Sequence, residues 1–248
     1  FYNRIIGDYE VPLDHPGRDR ERGRIWRIIP PGVAADVRRL TSDNPKPPPL
    51  ALATSTDDLI NELMSSNLAR RSLAMNELTE RLDPESIRNL NQAAEGLWHF
   101  RLQDDRTGLM TSALWLLHRA GQLDELILLK ALEDRNETVR VQAARIACEI
   151  ASWSDELAGA VEKQFADKSA LVHRTAAEAF GLHPKNPVIK PLVELLDAVP
   201  TEDTHLRHAV RVALRNQLAD ADATTFKQTA AFNASQRETI ADICLAIP

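Results

Sequence analysis

The chain has 248 residues, 44% hydrophobic and 27% charged, with a formal net charge of −6. That composition suits a folded soluble protein, and its acidity argues against a nucleic-acid backbone as the main partner. It holds no apolar run near the roughly 18 residues that a membrane helix needs, and no recognisable signal peptide.

Residues 1–29 mix β-formers with Gly7 and Pro12 and carry no helical period. Arg24–Ile29 reads as a short strand that must pair with something, so this segment is expected to be the tail of a sheet-rich domain. Because the chain opens on Phe1 rather than Met, it is expected to be a piece of a longer protein. The run Arg18-Asp-Arg-Glu-Arg22 alternates in sign and reads as a solvated turn. Residues 30–55 hold Pro30-Pro31 and the Pro45–Pro49 cluster, which favours an extended, semi-rigid linker.

Residues 56–248 read as helix after helix. Ser55 to Asp58 can cap Leu59–Met64, and Leu68–Leu82 follows Asn67. Asp83-Pro84-Glu85 opens a helix to Phe100, and Thr107–Ala120 closes on Gly121. Leu123–Glu133 and Glu137–Trp153 form the best-defined pair; a helix from Ser154 to Ala166 pairs with Ala170–Leu182. Asn186-Pro187 is expected to start a helix ending near Val199, kinked or delayed by Pro191, before Leu206–Leu218. Ala223–Ala231 and Ser235–Ile247 close the chain, with Ser235 and Glu238 at capping-box spacing.

One pattern organises these helices. Asp134-x4-Val139-Arg140-x2-Ala143-Ala144 returns as Asp167-x4-Val172-His173-x2-Ala176-Ala177, and again from Thr201 with Leu206-Arg207. The offsets, 134 to 167 and 167 to 201, put one helical hairpin in each period, the signature of an α-solenoid. The spacing resembles HEAT repeats. The expected fold is therefore all-α, an armadillo-like superhelix of about six hairpins, preceded by the short extended N-terminal segment.

Three stretches resemble a narrower family. Phe1-Tyr-Asn-x-Ile-Ile-Gly7-x-Tyr-Glu-Val-Pro-Leu13-x-His-Pro-Gly-Arg-Asp-Arg20, running on through Arg22-Gly-Arg-Ile-Trp-Arg-Ile28, resembles the closing segment of a β-propeller. Asp58-Leu-Ile-x-Glu-Leu63, with Asn67, Arg71, Ala74, Leu78 and Arg81, is similar to the repeat that follows that propeller. Ala113-Leu-Trp115-Leu-Leu-His118-x2-Gly121-x-Leu123-Asp124 resembles the repeat before the well-formed pair. The family is the large membrane-bound dehydrogenase-type proteins of planctomycetes, whose propellers are similar to those of quinone (PQQ)-dependent glucose and sorbosone dehydrogenases.

The resemblance implies the order propeller, HEAT-like array, cytochrome c domain with Cys-x-x-Cys-His, and it implies export to the periplasm. Cys148-Glu-Ile-Ala lacks the second cysteine and the histidine, so no covalent haem site is expected in this chain. The propeller's cofactor and catalytic residues would lie upstream, and this chain is expected to be a non-enzyme holding no cofactor. Its partners would be the propeller and cytochrome c domains, or another protein. The rival readings are a HEAT-type DNA glycosylase-like enzyme, which would need a basic concave face with an aromatic and a carboxylate, and a free-standing partner-binding module.

Arg71, Arg140, Arg174 (or its neighbour His173) and Arg207 recur on successive second helices. They are read either as inter-repeat structural residues, bonding carbonyls or turn aspartates such as Asp134 and Asp167, or as a positive stripe for an acidic partner. His205-x-x-His208 puts two imidazoles on one helix face, but no third metal ligand is placed. His118 beside Trp115 reads as a packed, hydrogen-bonded residue rather than a general base. Trp26, Trp98, Trp115 and Trp153 lie in apolar surroundings, and Cys148 and Cys244 read as buried free thiols. Asp57-Asp58 and Asp104-Asp105 sit at helix starts, where capping accounts for them. No phosphate loop, nucleophile elbow or His-Glu-x-x-His motif occurs.

Overall fold

A computed structural model describes residues 55–65, 67–99, 107–222, 228–245 and 247, with the backbone alone at 93–99 and 228–229. The expected strand segment 1–29, the linker from residue 30 up to Ser55, Trp26, the Trp98 side chain, Asp104-Asp105 and the start of the helix near Ala223 lie outside the described residues.

Eleven α-helices are described: α1 Thr56–Glu62, α2 Leu68–Glu80, α3 Pro84–His99, α4 Thr107–Arg119, α5 Glu125–Leu132, α6 Glu137–Glu149, α7 Asp155–Lys163, α8 Ala170–Leu182, α9 Ile189–Ala198, α10 Thr204–Ala219 and α11 Ala234–Cys244. A 3₁₀ turn, Gln164–Ala166, prolongs α7, and another, Gln228–Ala231, precedes α11.

The second helices α2, α4, α6, α8 and α10 form one continuous layer, each packed on the next. The first helices form the other layer, with α1 on α3, α5 on α7 and the 3₁₀ turn after α7 on α9. Small residues make that stacking close. Ala143, Ala144 and Ala147 on α6 and Ala176, Ala177 and Ala179 on α8 are fully buried. Gly181 lies so near α10 that a Cβ there would stand 3.1 Å from Ala213 Cα. This two-layer array is an α-solenoid, the architecture read from the repeat.

Polar links join neighbouring hairpins. Trp115 Nε1–H donates to Gln142 Oε1 (3.0 Å), Ser154 Oγ to Glu125 Oε1 (2.6 Å), Asn216 Nδ2 to the Gly181 carbonyl (2.9 Å) and Gln236 Nε2 to Asp197 Oδ2 (2.7 Å). His183 sets Nδ1 and Nε2 each 2.7 Å from a carbonyl oxygen, of Ala179 and Ile150, and stacks on Trp153 at 4.1 Å. The buried apolar side chains form two clusters meeting at α4: Leu109, Ala113, Leu116 and Leu117 face α1–α3, while Met110 and Leu114 face the later hairpins.

Several helix boundaries differ from expectation for local reasons. The helix after Asn136 stops at Glu149, because Ile150 turns extended and Trp153 folds back, its Nε1–H donating to the Ala147 carbonyl (2.9 Å). Asn186-Pro187 does not start α9. That helix begins at Ile189, and Gln217 of α10 supplies the missing cap, its Oε1 accepting the Val188 N–H (3.0 Å). Pro191 falls in the first turn of α9, where its lacking N–H removes no helical bond. The last capping box belongs to Asn233 and Gln236 rather than Ser235 and Glu238. Gly121 closes α4 as expected, at φ +65°, with Gln122 N–H donating to the Leu117 carbonyl (2.9 Å).

Candidate functional site

The recurring turn before each second helix is built by its own side chains. Asp134 Oδ1 accepts the Asn136 N–H (2.7 Å) and Asp167 Oδ1 the Ser169 N–H (2.8 Å), and the Asn or Ser then caps the helix that follows. The arginine of the repeat reaches back to this turn. Arg71 donates Nη1–H to the Ser65 carbonyl. Arg140, 6% exposed, donates to the carbonyls of Asp134 (2.8 Å) and Arg135 (3.0 Å) and forks onto the next repeat's Asp167 at 2.7 and 2.9 Å. Arg207 donates to the carbonyls of Leu196 (3.1 Å) and Val199 (3.0 Å).

The structure separates the fourth residue from that series. His173, not Arg174, occupies the register of Arg140, and the shorter imidazole leaves its buried Nε2 without a hydrogen-bond partner. Arg174, one residue on, points about 100° around α8 and lines a groove instead.

That groove encloses about 640 Å³ and crosses α4, α6, α8 and α10. Trp115, Ala177, Gly181 and Ala213 form an apolar floor, with Arg145 and Arg174, Glu149 and Glu178, and His205 and His208 around it. Glu149 Oε2 is held by His118 Nε2 at 3.1 Å, and Glu178 Oε1 lies 3.5 Å from Arg174 Nε. Arg119 stands over the Trp115 ring at 5.9 Å. Cys148 and Asn216 line it too, and of all these residues the sequence pattern singles out Trp115, His118, Cys148, Arg174, His205 and His208. Arg145, Glu149, Glu178 and Asn216 carry no such mark in the sequence. Their signal is the face of each second helix opposite the alanine stripe, visible only once the stripe is known to be the buried side.

His205 and His208 both face the groove, and among the described residues no group of three or more His, Cys, Asp or Glu could hold a metal ion. His118 stands edge-on to Trp115 at 5.9 Å. Cys148 and Cys244 are free and half-buried. Burial and the nearby Glu178 carboxylate push the Cys148 thiol up to about 11, which leaves it a poor nucleophile. Asp57 accepts from Asn89 Nδ2 (2.9 Å), and Ser55 Oγ donates to Asp58 Oδ2 (2.7 Å). Among the described residues no helix is long and apolar enough to cross a membrane.

No protein-family profile and no curated protein matches the sequence. Among solved structures, a designed armadillo repeat protein in complex with the peptide (KR)4 is similar at a TM-score of 0.45 and 17% identity, over 79% of this chain and 100% of that one. A likeness of that degree says nothing about a ligand here; the solenoid is established by the packing of this chain's own helices.

Proposed function

We propose that this chain is a non-catalytic scaffold that docks a protein partner along the groove of its second helices. We propose further that it serves as the spacer between a β-propeller and a cytochrome c domain in an exported, quinone-dependent sugar or alcohol dehydrogenase. The groove itself carries the first part. It is open, floored by small apolar side chains, and runs over successive helices that each pack on the next. Each of its carboxylates has a side chain set against it, His118 Nε2 at 3.1 Å from Glu149 and Arg174 Nε at 3.5 Å from Glu178, which suits a docking surface better than a general base. The resemblance of residues 1–28, 58–81 and 113–124 supports the parent architecture, in which this chain holds no cofactor and the redox chemistry belongs to the flanking domains.

The coding sequence on either side of this segment, followed by calorimetric titration of the chain with each flanking domain, tests the proposal. Propeller repeats upstream, Cys-x-x-Cys-His downstream and saturable binding to one domain are expected. Steady turnover by the chain alone, given quinone cofactor, calcium, a sugar and an artificial acceptor, would overturn the non-catalytic reading. Unrelated flanking sequence would leave a free-standing binding module.

A further inference from the structure

Resting on the docking reading of the groove, we propose that its occupant is an acidic peptide segment that also presents an apolar side chain. The chain as a whole carries −6, yet four arginines stand in or beside this groove, Arg145 and Arg174 in its lining and Arg119 and Arg215 next to lining residues, against the two carboxylates Glu149 and Glu178. Its two carboxylates already face His118 and Arg174. Among the described residues, no carboxylate pairs with Arg119, Arg145, Arg215, His205 or His208. Arg119 lies against the Trp115 ring, and among the described residues Arg215 reaches only the Asn216 amide oxygen, at 3.0–3.2 Å. Arg174 adds a second observation. Its Nε–H is buried without a hydrogen bond, because Glu178 is too far to accept one well, and an entering carboxylate would satisfy it.

The apolar requirement comes from the floor. Trp115, Ala177, Gly181 and Ala213 leave a trough that a charged side chain would have to desolvate to fill. Leu182, 63% exposed, lies at its edge and offers a side for an apolar anchor. A basic peptide would have to displace His118 and Arg174 from the two glutamates while facing Arg145. A nucleic acid is disfavoured differently: its backbone carries a charge about every 1.7 Å and calls for a continuous row of cations. Here Glu149 and Glu178 interrupt the row. A peptide can space its carboxylates to match Arg145 and Arg174 and pass over the glutamates.

Fluorescence polarisation of the full chain against fluorescein-labelled (Glu-Leu-Ser-Glu)3 tests this, beside (Lys-Leu-Ser-Lys)3 and a single-stranded oligothymidylate. The acidic peptide is expected to bind, more weakly as salt rises. Reversing Arg145→Glu with Arg174→Glu should weaken it about tenfold or more, and Lys163→Glu, an exposed charge change on the other layer, should leave it unchanged. Leu182→Glu provides a second variant at an exposed position and should weaken binding as well, without touching the packed core. Tighter binding of the basic peptide or the oligonucleotide would overturn the inference. So would acidic-peptide binding that survives both groove variants, or no binding at all. In those cases titration with the flanking domains still decides the scaffold reading independently.

Discussion

Arg140 is the side chain on which the junction between the third and fourth hairpins depends, and its removal makes a quantitative prediction. Arg140→Met keeps much of the aliphatic stem but deletes the two bonds to Asp167 and the two to the Asp134 and Arg135 carbonyls. Breaking a buried ion pair by deleting one partner costs about 3–5 kcal/mol. The pair lies at the loop edge, where water can reach the orphaned carbonyls and Asp167 keeps the Ser169 N–H (2.8 Å). A loss of about 2–3 kcal/mol is therefore expected, a fall in Tm of about 5–10 °C for a chain of this size.

The pH dependence has a definite sign. Burial pushes the Asp167 carboxyl up, but hydrogen bonds from Arg140 and Ser169, with the Arg140 charge and His173 nearby, outweigh it and hold the group below its ordinary value. Its contribution is thus present above the unfolded value, near pH 4, and is lost as pH falls through the folded value. The gap between wild type and Arg140→Met should be full at neutral pH and shrink in acid. Urea melts of both proteins at neutral and acid pH, with Asp167→Asn closing a double-mutant cycle, measure it. A gap below about 0.5 kcal/mol at neutral pH, or one that does not shrink in acid, would refute the reasoning.

Other substitutions probe separate parts of the account. Gly181→Val should cost about 1–3 kcal/mol, because even its Cβ would stand 3.1 Å from the Ala213 backbone. Gly159→Ala on α7, where a Cβ meets nothing within 4 Å, should gain about 0.5–1 kcal/mol in the same thermal melts. His173→Arg restores the side chain that Arg71, Arg140 and Arg207 use to reach loop carbonyls, and should stabilise by about 1 kcal/mol. Cys148, raised to about 11, should alkylate slowly in the native protein at neutral pH, faster as pH climbs toward that value, and quickly once urea unfolds the chain. Peptide mapping of the labelled protein reads this directly.

The fold was largely legible in the sequence because each period carries its own instructions. A turn residue, a helix cap, an arginine and a pair of alanines recur at offsets that only stacked hairpins satisfy. Boundaries set by distant partners were not legible. The start of α9 depends on Gln217, 29 residues beyond Val188 in the next helix, and the end of α6 depends on where the Trp153 ring packs. The candidate groove was less legible still. The arginines that recur in register are those bound to their own turns, whereas Arg174 and Arg145 contribute to the groove by standing out of that register. Repetition marks what holds a solenoid together, and a docking surface is made from the positions between.

Hairpins that pack each on the next should make the groove helices the last part of the chain to open. Native-state hydrogen exchange across increasing urea, resolved by peptide, tests it most directly. Amides of α6, α8 and α10 should share the highest opening free energy. Those of α1 and α2, whose smaller core meets the rest through α4, should open at lower urea. Groove helices that exchange first, or one opening energy shared by every helix, would contradict it.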